Sequence, residues 1–275
     1  MAREGAGRVA ARFALLLAST ALLLGLSASV PGVGATTDES QAEIAGPFGT
    51  GAAAVWILRP RGPIRSVVVF GHGWKSAPPS RAQPWVGQFR PWLRHLVVGG
   101  NAVIFPRYQL GSGDPQSPMR VQDFRQGVQT GYVRLGSPRV PFVAAGYSFG
   151  ASLTLAYAAH AARWHVPVPR ALLAVFPAGM VEGDSLPPLA SSTSVLILVG
   201  DEDKVAGRGG ADQFWRWLAR HPARNKHYVV VRSGGAFHAT HSAPKGTTAA
   251  VRIAFWLPLD RLIRTARTAT NHTGP

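Results

Sequence analysis

A serine flanked by glycines, Gly146-Tyr147-Ser148-Phe149-Gly150, follows the apolar run VPFVAA and opens LTLAYAAHAA, a run of strong helix formers. A hydroxyl at a sharp strand-to-helix turn is presented for nucleophilic attack, and the two glycines let strand and helix close on the turn. Ser148 is therefore a candidate nucleophile. The N–H of Phe149, at the helix N-terminus, is a candidate oxyanion donor. A glycine-rich turn that only packs a helix on a sheet would match the same five residues. What separates the two readings is the strand before, the helix after, and chemical partners further along the chain.

A serine hydroxyl needs a base, and the base needs an acid that fixes its tautomer. Around such an elbow the order is Ser, acid, His. The apolar run SVLILVG is followed by Asp201-Glu202-Asp203, three carboxylates in a chain with 13 acids. Asp203, beyond the turn that begins at Gly200, is favoured as the acid. Asp201 is the alternate, or caps the turn through the backbone. After HYVVVRS, the loop GGAFHATHSAP carries His238 and His241. Both reach Ser148, since even six extended residues span roughly 20 Å. His241 is favoured because Pro244 stiffens the backbone beside it, whereas Gly234 and Gly235 loosen the approach to His238, which stays as the alternative base. The other downstream histidines fit poorly: His160 belongs to a helix, His165 and His227 to strand starts, His221 to a helix end and His272 to the tail. A second oxyanion donor comes from the loop after an earlier strand. SVVVF leads into Gly71-His72-Gly73-Trp74, which points to the Trp74 N–H. His72, upstream of the nucleophile, is read as a brace for that loop.

These residues need a scaffold that brings loops together. Short runs rich in Val, Ile, Leu and Phe predict strands over 53–58, 66–70, 102–106, 141–145, 171–176, 194–199 and 228–232. Between them, helical spacing predicts helices over 84–98, 119–135, 150–162 and 210–220. A last helix over 247–266 carries Val251, Phe255, Leu259, Leu262 and Ile263 on one stripe, with a kink expected at Pro258. Strands that are apolar throughout and alternate with helices imply a mostly parallel central sheet with helices on both faces. In such sheets functional side chains sit beyond the carboxyl ends of strands. Every candidate above is in such a place.

With these motifs in order, the chain resembles the α/β-hydrolase superfamily: HGW after an early strand, GYSFG at the elbow, GDED after the penultimate strand, a histidine after the last. The likeness runs over 53–266. It is nearest to secreted bacterial esterase-like and lipase-like serine hydrolases related to the dienelactone-hydrolase group. In some of these a histidine is followed three residues on by proline, then by Trp and Asp in the last helix. His241-Ser242-Ala243-Pro244 and FWLPLD match that form, while GGAFH resembles the Gly-Gly-x-His form that would favour His238. The resemblance implies an α/β-hydrolase fold and a carboxylic-ester hydrolase with no cofactor. The stretch between Phe176 and Ser194, where many members insert a cap, is short, which implies minimal or no cap domain and an open site.

The first residues read differently. Arg3, Arg8 and Arg12 precede FALLLASTALLLGL, then small residues ending in Val33-Gly34-Ala35. This pattern is a secretory signal peptide over 1–35, and it implies a secreted or cell-envelope location. The rival is an uncleaved anchor, although the run is short against the ~20 residues of a span; membrane contact would then come only through this segment. An N-terminal linker over 36–52, a hydrolase domain over 53–267 and a flexible tail over 268–275 complete the division. With no cysteine among 275 residues, disulfides and thiol catalysis are excluded. The net charge of +16 is scattered, without a run that would grip nucleic acid, and suits a basic surface facing anionic envelope material. No metal-ligand pattern such as HExxH occurs. The expectation is a monomeric exported serine hydrolase that cleaves carboxylic esters through an acyl-enzyme. Its rivals are a cell-envelope acyltransferase with the same triad and a non-catalytic binding protein on the same fold.

Overall fold

In the computed structural model, residues 44–75, 85–111, 118–181 and 186–271 are described. The span 1–35 read as a signal peptide lies outside them. Eight strands run in chain order: β1 Ile44–Phe48, β2 Val55–Leu58, β3 Ser66–Gly71, β4 Asn101–Pro106, β5 Phe142–Tyr147, β6 Ala171–Val175, β7 Ser194–Gly200 and β8 Lys226–Val231. They form a single sheet in the order β1-β2-β4-β3-β5-β6-β7-β8. β1 pairs antiparallel with β2, and β2 antiparallel with β4. Every other pairing is parallel. β3, β4, β5 and β6 are buried along their whole length, which is what a sheet covered on both faces demands of its central strands.

Helices α1 Arg90–Val98, α2 Pro118–Arg134, α3 Phe149–His160, α4 Gly209–Trp217 and α5 Leu257–Asn271 cover the sheet. Alternation along the strands sorts the core into two layers. Val67 and Val69 of β3 face one layer with Phe124 and Val128 of α2, Leu153 and Tyr157 of α3, and Phe214 of α4. Val68 and Phe70 face the other with Trp92 and Leu96 of α1 and Leu259 and Ile263 of α5. α3 is buried at every position. Its Gly150, Ala151, Ala156, Ala158 and Ala159 keep the helix surface low, so it lies close against the centre of the sheet.

Three spans depart from the sequence-based expectations. β1 falls inside the stretch read as a linker, and the short 3-10 turn Gly51–Ala53 straddles its end. Gly46 and Pro47 disguise the strand, and an edge position tolerates the missing N–H of proline. α5 continues to Asn271, into the stretch read as a flexible tail, although Thr268, Thr270 and Asn271 are weak helix formers. At Pro258 the expected break takes a particular form. A helical turn at Ala249–Val251 passes into a π-helical segment, Arg252–Trp256, directly before α5. The wider turn accommodates the proline, which has no N–H to donate. Among the described residues the connection from Phe176 to Thr193 contains no helix or strand.

Candidate active site

Ser148 occupies the turn between β5 and α3, at φ 55° and ψ −127°. That conformation is strained for a residue with a side chain, on the order of 1–3 kcal/mol, and persists only where the surroundings enforce it. They do so through close backbone contact. A Cβ on Gly150 would lie 2.2 Å from the His72 carbonyl oxygen, and one on Gly146 would lie 2.4 Å from the Gly150 oxygen. A Cβ on Gly71 would lie 2.7 Å from that same oxygen. The ends of β3 and β5 and the first turn of α3 therefore meet backbone to backbone. The Ser148 N–H donates to the Val175 carbonyl at 2.9 Å, fixing the turn to β6.

The structure brings three of the expected side chains into a chain of contacts. His241 Nε2 lies 3.0 Å from Ser148 Oγ. His241 Nδ1 lies 2.8 Å from Asp203 Oδ2. Asp203 is buried and accepts at Oδ1 from the N–H groups of Val205 at 2.8 Å and Ala206 at 3.1 Å. Two backbone donors thus hold Oδ1 in place and leave Oδ2 for the imidazole. His238 is elsewhere: its Nδ1 faces Glu202 Oε2 at 3.0 Å, and the pair is exposed. Asp201, the alternate acid, accepts from the Ser233 N–H at 3.0 Å and the Ser233 hydroxyl at 2.6 Å. Ser233 Oγ in turn accepts from the Ala239 N–H at 2.9 Å. Asp201 thereby ties down the loop that carries both histidines, rather than capping its own turn. The Ser233 hydrogen bonds hold its carboxyl below the usual carboxylate range.

The loop after β3 runs alongside the nucleophile. A Cβ on Gly73 would lie 3.2 Å from Ser148 Cβ. The Trp74 ring meets the Phe149 ring edge-on at 5.7 Å, so both expected oxyanion donors belong to one packed corner. Phe149 opens α3, and its N–H has no intrahelical acceptor. His72 braces this loop as expected. Its ring nitrogens lie 2.7 Å from the Gly73 carbonyl and 2.8 Å from the Arg107 carbonyl. The ring is fully buried and stacks on Tyr108 at 4.3 Å. Burial lowers its pKa from 6.5 to about 4, which the two carbonyls do not offset. The segment after β4 supplies the rest of the brace. Tyr108 Oη donates to the His72 carbonyl at 2.8 Å, and the Gln109 amide bonds both the Lys75 N–H at 3.0 Å and its carbonyl at 2.8 Å.

Sequence reasoning passed over several of these residues. Tyr147 Oη donates to the His241 carbonyl at 2.7 Å, and its ring lies 5.1 Å from the imidazole. Burial, with the Asp203 charge adding to it, pushes the Tyr147 hydroxyl well up, so it remains a neutral donor. Phe176 stacks on His241 from the end of β6, with centroids 6.1 Å apart. Tyr147 occupies a variable place in G-x-S-x-G, and Phe176 reads simply as the end of a strand. Neither carried a separable signal; Gln109, in a loop after a strand, could have been found by its position. Among the described residues no group of three His, Asp or Glu side chains is arranged to hold a metal ion.

The strand order, the turn at Ser148 and the connections that carry Asp203 and His241 define an α/β-hydrolase fold. A thermostable esterase from Pseudomonas putida is similar over 82% of this chain and 84% of its own, with TM-score 0.58 and 18% identity. Esterase B from Lactobacillus rhamnosis, in a structure with a tributyrin phosphonate, is similar over 98% of both chains, with TM-score 0.64 and 13% identity. An α/β hydrolase from a deep-sea metagenome library, MGS-M1, covers 82% of this chain and 98% of its own, with TM-score 0.59 and 12% identity. At these identities the likeness is one of fold. No protein-family model matches the chain, and no curated protein sequence matches it.

Proposed function

We propose that the protein is an exported serine hydrolase that cleaves carboxylic esters through an acyl-enzyme. The observation that carries this reading is the continuous contact from Ser148 Oγ through His241 to Asp203, at 3.0 and 2.8 Å. Ser148 Oγ attacks the ester carbonyl while His241 Nε2 takes its proton. Asp203 stabilises the imidazolium and holds its Nδ1–H. The Phe149 and Trp74 N–H groups receive the negative oxygen of the tetrahedral intermediate. On collapse the carbonyl–alkoxy bond breaks, and Nε2–H protonates the departing alcohol. Water then attacks the acyl-enzyme, giving up its proton to His241, and the carboxylic acid leaves as Ser148 recovers its hydrogen.

The esterases among the structural neighbours support an ester as substrate. The lack of any helix or strand among the described residues between Phe176 and Thr193 supports a hydrolase over a transferase, because water reaches an uncovered acyl-enzyme. Export rests on residues 1–35, as does a location outside the cytoplasm, where a monomer would act on esters of lipid or envelope material. The test uses protein lacking residues 1–35 with p-nitrophenyl esters of two-carbon to long acyl chains, alongside fluorophosphonate labelling. Turnover and labelling that both vanish in Ser148→Ala are expected. Labelling without hydrolysis, together with acyl transfer to an added alcohol, would reassign the protein as an acyltransferase. No labelling and no turnover would leave a binding protein.

A further inference from the structure

We infer that the ester carries an anionic group, a carboxylate or a phosphate, which Lys75 and Lys245 hold at the rim of the site. This deepens the serine-hydrolase reading and rests on it. The two lysines come from different loops that converge on one aromatic ring. Lys75 follows Trp74, and its backbone is clamped on both sides by the buried Gln109 amide. Its Nζ donates to Gln88 Oε1. Lys245 lies one short 3-10 turn beyond His241, behind the buried Pro244. Its Nζ sits 5.4 Å from the centre of the Tyr147 ring. The loop after β3 reaches the same ring, since a Cβ on Gly73 would lie 2.7 Å from Tyr147 Cε1. Tyr147 directly precedes the nucleophile. The rim of the candidate site is therefore flanked by two cations.

Among the described residues neither cation has a counter-charge. Among the described residues the ion pairs are His95–Asp260, Arg120–Asp123, Glu202–His238 and Asp203–His241. Both lysines are half-buried, unlike lysines that reach freely into solvent. Burial brings Lys75 down from 10.5 to about 8, with the Lys245 charge contributing, and burial also lowers Lys245. Two partly desolvated ammonium groups that repel each other become more stable when an anion settles between them. A neutral ester supplies nothing to them. A carboxylate or phosphate a few atoms from the scissile carbonyl satisfies both while the carbonyl lies over Ser148.

The experiment compares matched substrates. On the acyl side, mono-p-nitrophenyl adipate is set against p-nitrophenyl hexanoate. On the alcohol side, 4-acetoxyphenyl phosphate is set against phenyl acetate. In at least one pair the anionic ester is expected to have the higher kcat/KM by about tenfold or more, and the pair that responds locates the anion. That preference is expected to shrink in Lys75→Gln and in Lys245→Gln, to survive in Lys245→Arg, and to shrink in high salt for the unaltered protein. The salt series decides the matter if a variant fails to fold. Equal or better use of the neutral ester in both pairs, with Ser148 still labelled, overturns the anion site and leaves the esterase standing. Absence of labelling and of turnover with all four esters overturns the underlying hydrolase reading instead.

Discussion

Two acid–histidine pairs lie side by side where the β7 and β8 loops meet. Glu202 faces His238 at 3.0 Å, and Asp203 faces His241 at 2.8 Å. The acids are neighbours in sequence and the histidines are separated by two residues. Their surroundings differ sharply. The side chains of His238 and Glu202 are 63% and 42% exposed, while those of His241 and Asp203 are 16% and 0% exposed. The first pair is an exposed ion pair, screened by water, and such pairs contribute little. The second is fixed by backbone donors to Asp203, by Tyr147 and Phe176 around the imidazole, and by contact with Ser148. The same two residue types thus give a surface contact in one place and a candidate catalytic relay in the other. What separates them is burial, a fixed geometry and a third partner.

The sharpest way to break this comparison is to remove the third partner. Ser148→Ala is expected to lower ester turnover on the order of 10⁶-fold and to abolish fluorophosphonate labelling. Activity retained by a folded Ser148→Ala protein would make the two pairs equivalent. Next come the acids. Asp203→Asn is expected to cost about 10⁴-fold in turnover, by holding the imidazole in the wrong tautomer. Glu202→Gln is expected to stay within about threefold. His241→Ala and His238→Ala should divide the same way in the rate of labelling, and a reversal in either set would move the base to His238.

A third histidine sharpens the contrast, because His72 is fully buried and has carbonyls for partners and no acid. In the unfolded chain it protonates near 6.5, whereas the folded protein resists protonation down to about 4. Its contribution to stability is therefore complete above pH 6.5 and is lost as pH falls toward 4. The stability gap between the unaltered protein and His72→Asn is expected to narrow by about 3 kcal/mol across that window, read from urea unfolding at pH 7, 5.5 and 4. A gap independent of pH would mean that burial does not depress the pKa of the ring.

Tyr147→Phe removes one hydrogen bond to the His241 backbone. It is expected to cost about 1 kcal/mol in urea unfolding and to slow labelling of Ser148 about threefold. Unchanged labelling would show that the imidazole is held without it. The smallest effect is one of salt. In 1 M NaCl the screening length falls to about 3 Å. The imidazole resonances of His238 are expected to shift more than those of His241, and equal shifts would remove the distinction between an exposed and a buried pair.

Much of this protein is determined by its local sequence. Hydrophobic runs such as SVVVF and SVLILVG are strands because they are apolar on both faces. The elbow at GYSFG is marked by glycines that only a backbone-to-backbone packing requires. Both are short-range steric and burial effects, so they are visible in a few consecutive residues. β1 escaped because an edge strand need not be apolar, and Gly46-Pro47 reads like a linker. The segment before Pro258 became π-helical rather than simply bent because the buried stripe of Val251, Phe255, Leu259 and Ile263 had to stay on the sheet. Position beyond Gly200 favours Asp203 over Asp201, and Pro244 favours His241 over His238, but reach alone does not discriminate between the two histidines. Only the folded loops assigned Asp201 to Ser233, Glu202 to His238 and Asp203 to His241. A pairing between the β7 and β8 loops depends on the path of both loops and on which side chain is turned inward. Those are properties of packing at a distance, and no local run of residues encodes them.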